Sequence, residues 1–164
     1  MADQKQVHLL PDDPTLGRYV IDPMMYDWGP ILAPWSPPLP IMGDIICVSL
    51  FCDVFLSGSD GEVYWLNAQA GRVDRIANNR EHFEDRAYKE YVAFFKTPLI
   101  DAIPAMGLAI PPGHMVGLKQ PEMEGGKYRL DNLGVAPLEA AFAYLGALYR
   151  KQFDDEPVAK PWIN

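Results

Sequence analysis

A chain of 164 residues, 49% hydrophobic and 12% aromatic, is long enough for one domain with a packed core and too apolar for a disordered one. Its 14 Lys and Arg against 22 Asp and Glu leave a net charge of −8, which disfavours direct binding of nucleic acid or anionic lipid, since both repel an acidic surface. No apolar run approaches the roughly 20 residues that span a bilayer, and the start MADQKQVHLLPDDP lacks the basic and apolar regions of a signal peptide, so a cytoplasmic protein with no membrane partner is expected.

In chain order, residues 1–29 are rich in turn formers, and GRYVID, 17–22, reads as a short strand. PILAPWSPPLP, 30–40, holds five prolines. Each fixes φ and removes a donor, so the segment is predicted to be extended and outside the middle of any sheet. It contains PxxP, which docks on aromatic grooves, but no basic residue flanks it. The plainer expectation is a stiff crossover that packs Trp35 and Leu39 on the core. Residues 1–42 are thus read as a Pro-rich, irregular extension packed on the core, and 43–164 as a single α+β domain.

GDIICVSLFCDVFLS, 43–57, is rich in β-branched and aromatic residues and predicts strand, interrupted near Cys52 and Asp53. EVYWLN, 62–67, predicts another, with Val63, Trp65 and Asn67 on one face and Tyr64 and Leu66 on the other. Between them lies SGSDG. A calcium loop there would need oxygen ligands where Leu56 and Gly58 stand, and a Glu where Asn67 stands. A phosphate loop would need a helix with a Lys after the glycines, where a strand follows instead. Asp-Gly between two alternating apolar runs is a hairpin signal. After the turn AQAG, the strand RVDRIA, 72–77, completes an antiparallel meander. Cys47 and Cys52, five apart in one run, are expected on opposite faces as two buried thiols, with no disulfide and no shared metal.

From Asn78 the period becomes helical. Asn78 or Asn79 caps a helix whose stripe is Phe83, Ala87, Tyr91 and Phe94. Thr97 and Pro98 open a second helix, which Pro104 ends or kinks. AIPPGHMVGLKQP, 109–121, is a loop feeding a short strand, and EMEGGKYRLDN is a polar loop. PLEAAFAYLGALYRKQF, 137–153, is the clearest helix, with Leu138, Phe142, Leu145 and Leu148 or Tyr149 buried and Arg150 and Lys151 at its C-terminal end. The fold class expected is α+β: a twisted antiparallel sheet near 43–77 with helices packed on it, closed by helix 137–153.

The candidate chemistry is thin. His8, His82 and His114 form no HxH or HxxxH pair, and no Cys lies at ligand spacing from them. Ser36, Ser49, Ser57 and Ser59 lie in no GxSxG elbow, so a hydrolase would have to bring His114 to a Ser or Asp through the fold. Lys127 and Arg129 partly offset Glu122 and Glu124 around Gly125 and Gly126, which favours a loop of special backbone shape over a phosphate site. DDE, 154–156, reads as a solvated helix end. No catalytic residue, metal ligand or cofactor is assigned.

Two blocks resemble one bacterial family. FCDVFLSGSDGEVYWLNAQAGRVDRIANNREHF is similar to a pattern of Phe-Gly-Asp-x-Phe-Leu, then Asp-Gly-x-Val-x-Trp-Leu, then Thr-Gly, then Ile-Ala before a helix with Phe. Asp53, Phe55, Leu56, Gly61, Val63, Trp65, Leu66, Gly71, Ala77 and Phe83 carry it. GLKQPEMEGGKYRLDNLGVAPLEAAFAYLGALYRKQ is similar to Gly-aromatic-Lys-x-Pro-x-Leu-Gly-Gly-x-Tyr, then Asn-Leu and a helix ending in Gln. Gly117, Lys119, Pro121, Gly125, Gly126, Tyr128, Asn132, Leu133 and Gln152 carry that block. Both patterns belong to the C-terminal domain of type VI secretion DNase-immunity proteins, and the resemblance covers 43–157. Cys52 stands where the pattern has Gly, Leu118 where it has an aromatic, and Glu124 where it has Leu.

The resemblance implies a non-enzymatic role: binding a cognate secreted toxin in the cytoplasm and blocking it. An acidic protein suits a nuclease toxin, whose substrate groove is basic. Tyr64, Trp65 and Tyr128 are the candidate aromatic anchors, flanked by Lys119, Glu122 and Glu124, although the plainer reading puts Trp65 and one of the tyrosines in the core, and for Trp65 that reading is preferred. The rival expectation is a small-ligand or regulatory module with no toxin partner.

Overall fold

The computed structural model describes residues 16–36, 39, 42–152 and 160–163, with residues 42 and 43 by backbone alone. A five-stranded antiparallel sheet runs β1 (Val20–Ile21), β2 (Met42–Ser49), β3 (Asp53–Gly58), β4 (Val63–Asn67) and β5 (Arg72–Ala77), each strand beside its neighbour in sequence. Three helices follow: α2 (Arg80–Lys89), α3 (Tyr91–Phe95) and α4 (Thr97–Ala102). β6 (His114–Leu118) and β7 (Leu133–Pro137) then form a second antiparallel sheet, and α5 (Leu138–Lys151) follows; α1 (Trp28–Leu32) precedes β2. The architecture is α+β, with the meander where the alternation of the sequence put it.

The main sheet is covered on both faces. Phe55, Val63, Cys47 and Phe83 belong to one core with α2, α3 and α4; Val54, Leu56, Leu66 and Cys52 belong to the other with α1 and α5. The alternation of β4 holds: Val63 and Trp65 join the first core, Leu66 and Tyr64 the second. Phe55 is the hub of the first, its ring centroid 4.9 Å from Phe83, 5.7 Å from Phe94 and 5.9 Å from Trp65. In the second, Phe142 of α5 meets Trp28 and Trp35 edge-on at 5.7 and 6.0 Å. The two cysteines do lie in different cores, and both are free and buried. They are not in one strand, however: Leu50–Cys52 is the turn of a hairpin, so 43–57 makes two strands rather than one interrupted strand.

The proline-rich segment departs from its expected extended form. Residues 28–32 are α-helical and Ala33–Trp35 form a 3-10 turn. Asp27 caps the helix by accepting from the Gly29 N–H, and Pro30 and Pro34 sit in first turns, where a missing N–H costs no intrahelical bond. Trp35 and Leu39 do pack in the core, while positions 37, 38, 40 and 41 lie outside the described residues. Residues 17–19 are likewise a 3-10 turn, which leaves only two residues for β1.

The stripe Phe83, Ala87, Tyr91, Phe94 does not run along one helix. Glu90 leaves helical geometry (φ −116°, ψ 23°), and Arg86, one turn earlier, ties to its carboxylate at 2.8 Å. Asn79 is the N-cap, accepting from the His82 N–H at 2.8 Å. Lys96, not Thr97, precedes α4; Thr97 is buried inside it and makes no cap bond. β7 has no clear signal in the sequence, because LGVAP offers only two large apolar residues, Leu133 and Val135, separated by a glycine and followed by a proline. The α5 helix begins one residue later than expected, and residue 153 lies outside the described residues.

Candidate functional site

The first core is almost wholly apolar, yet it contains one carboxylate. Asp53 opens β3 with no solvent exposure. It accepts from the Ser49 hydroxyl at 2.7 Å and from Trp65 Nε1 at 2.9 Å, and Lys96 Nζ lies 3.4 Å away. Ser49 Oγ in turn accepts the backbone N–H groups of Phe51 and Asp53, which closes the β2–β3 turn. Lys96 also lies over two rings, 4.7 Å from the Tyr128 centroid and 5.7 Å from that of Phe51. A desolvated ammonium gains from such faces as well as from its carboxylate.

Backbone strain gathers at this pair. Among the described residues, only Cys52 (φ 63°) and Lys96 (φ 51°) are non-glycine residues in left-handed geometry. Cys52 immediately precedes Asp53, and Lys96 joins α3 to α4. Each conformation costs about 1 kcal/mol or more and aims a neighbouring group inward.

The loop 119–132 roofs this centre. Tyr128 packs edge-on against Phe51 at 5.7 Å. Burial first, then the Asp53 and Glu122 carboxylates, push its phenol well above the ordinary tyrosine range. Its hydroxyl is buried toward Glu122 without a hydrogen bond of ordinary geometry. Glu122 accepts weakly from Asn67 Nδ2 at 3.5 Å. Gly126 is fixed by space: a Cβ there would stand 1.6 Å from the Gln120 carbonyl oxygen. Asn132 ties the loop shut, accepting from the Gln120 N–H and donating to the Gln120 and Lys127 carbonyls.

The six candidate contact residues therefore divide. Trp65 and Tyr128 meet at the Asp53–Lys96 pair and are committed to packing there. Tyr64 points to the other face, where its hydroxyl donates to Asp60 at 2.8 Å. Glu122 and Glu124 are exposed on one short 3-10 turn, and Lys119 is half-exposed. Glu122 and Tyr128 stay with the Lys96 centre, whereas the charge of Glu124 is felt by Tyr144 of α5. Lys96 was missed in the sequence. The signal for it was an Asp inside the apolar run FCDVFL, which needs a cation, and a lone Lys inside FFKTP.

Among the described residues the serines and histidines do not assemble around a substrate space; His8 lies outside the described residues. Ser49 is fully buried. His114 opens β6, its Nδ1 3.0 Å from the Pro112 carbonyl, and His82 Nδ1 accepts from the Asn78 N–H. Among the described residues no group of three or more His, Cys, Asp or Glu could hold a metal ion, and no helix is long and apolar enough to cross a membrane. Comparison of the chain with protein-family models, with curated proteins and with solved structures gives no significant match.

Proposed function

We propose that this chain is an immunity-type protein that binds a cognate type VI secretion toxin in the cytoplasm and neutralises it by non-catalytic contact. The observation that carries the reading is convergence. Asp53 and Trp65 from the first resembling block, and Tyr128 from the second, close on one buried centre, and Gly126 and Asn132 shape the loop above it. Residues so placed set a rigid scaffold and leave exposed carboxylates such as Glu122 and Glu124 for recognition. The net charge of −8 supports a basic partner, a nuclease being one such toxin.

The test is growth. Cells expressing the toxin encoded beside this chain should die without it and grow with it, and the two purified proteins should form a stoichiometric complex. Raising salt should slow their association more than it speeds dissociation. A chain that neither rescues growth nor binds the toxin belongs to the rival class, a small-ligand or regulatory module with no toxin partner.

A further inference from the structure

Helix α5 turns most of its surface inward. Between Leu138 and Arg150 its exposed positions are Glu139, Ala143, Ala147 and Arg150. Their spacing puts them on one face, over about three turns and roughly 16 Å. Beside this face runs an open groove of about 730 Å³, whose far wall is Pro30, Ile31 and Pro34. That wall runs in the same direction as α5: Trp28 meets Phe142, Pro34 meets Gly146, and the Ser36 carbonyl accepts from Arg150. Asp27, which also lines the groove, therefore shares the Glu139 end, and Arg150 marks the other end.

The face is complementary to itself. A two-fold axis through its middle sets two α5 helices antiparallel, with each Arg150 against the Glu139 and Asp27 of the other copy. Ala143 then meets Ala147 at the centre, where small side chains let the axes approach toward the short end of the usual 8–10 Å. A uniformly basic partner would satisfy one end and leave Arg150 facing a like charge. A second copy satisfies both ends. We infer that a second copy of this chain occupies the groove, and that the protein self-associates through α5 as an antiparallel two-fold pair. The inference does not rest on the inhibitor reading. The patch is small, one helix face and one groove wall on each side, so the dimer forms in the micromolar range.

Sedimentation velocity of the full chain from about 1 µM to about 500 µM brackets the affinities of such small interfaces. The expected result is a concentration-dependent monomer–dimer equilibrium. Glu139→Arg and Arg150→Glu should each weaken it by about tenfold or more, since each turns attraction into repulsion at both ends of the dimer. Mixed in equal amounts, the two variants should restore the dimer, because in the mixed pair the two reversed residues face each other at one end and the native Arg150 and Glu139 face each other at the other. Ala147→Trp keeps every charge and the Ser36 bond, and should abolish the dimer by blocking close approach. Circular dichroism checks that each variant is folded. A native chain monomeric across the range, a mixture no more associated than its components, or a dimer that survives Ala147→Trp overturns the inference.

Discussion

Lys96 Nζ lies 3.4 Å from the carboxylate of Asp53, which has no contact with solvent, so each charge is the other's main compensation. Removing one partner strands the other. Lys96→Met and Asp53→Ala are each expected to lower stability by about 3–5 kcal/mol, and the double variant by clearly less than the sum. Urea denaturation of the three variants measures this. Strict additivity would mean that the two groups are not coupled.

Cys52 stands at φ 63°, where the resembling pattern has glycine. Glycine adopts this geometry freely but gives up the buried thiol, so Cys52→Gly should change stability by no more than about 1 kcal/mol. Cys52→Val puts a β-branched side chain in left-handed geometry and should cost about 2 kcal/mol or more. If valine is tolerated as well as glycine, the turn is not held in this conformation.

Burial is the first cause that raises the pKa of Cys47, Cys52, Tyr128 and Tyr144. In the unfolded chain these groups titrate near about 8.5 for Cys and about 10 for Tyr. The folded chain therefore keeps protons that the unfolded chain releases. Their stabilising contribution is complete below about pH 8.5 and is lost as the pH climbs beyond it. The urea midpoint should be level from about pH 7 to 8 and fall steadily from about 9 to 11. Both thiols should resist alkylation at pH 8 until the protein is unfolded. A midpoint that rises above pH 9 would contradict the burial of these groups.

Trp162 lies on a glycine pair. Gly117 and Gly134 face each other across β6 and β7, and a Cβ on Gly117 would stand 2.0 Å from the indole. Tyr144 meets the ring edge-on at 5.6 Å, and the Ile163 N–H donates to the Val135 carbonyl, which brings residues 162–163 alongside β7. Gly117→Ala and Trp162→Ala should each cost about 2 kcal/mol, by losing the same seat. The double variant should then be no less stable than the worse single one. A double variant that loses the full sum would show two separate effects.

The sequence was most legible where one period held over a whole element. The alternation in 62–67, the strand read at 72–77 and the stripe of 137–153 match β4, β5 and α5 within a residue or two. Legibility failed where a single backbone angle redirected the chain. Glu90 breaks a stripe that looks continuous, and Cys52 turns one apolar run into two strands. The prolines of 30–40 misled for a related reason: position within a first turn, which composition does not reveal, makes Pro30 and Pro34 helical. For the candidate site, Asp53, Trp65 and Tyr128 stood out as residues, but their meeting at Lys96 depends on long-range closure that no local pattern encodes.

The buried carboxylate also fixes how the strands are aligned. Both faces of the main sheet are apolar, so sliding β3 by one residue past β2 and β4 would not expose hydrophobic surface. It would exchange the two cores, carrying Val54 and Leu56 into the place of Phe55. The same slip would carry Asp53 to the opposite face, among Val48, Leu66 and Met115, away from Lys96 and Ser49. An ionised carboxylate stranded there costs several kcal/mol. One charge thus marks the correct alignment of an otherwise ambiguous sheet, and a chain that replaced Asp53 with an aliphatic residue would lose its protection against mispairing along with its ion pair.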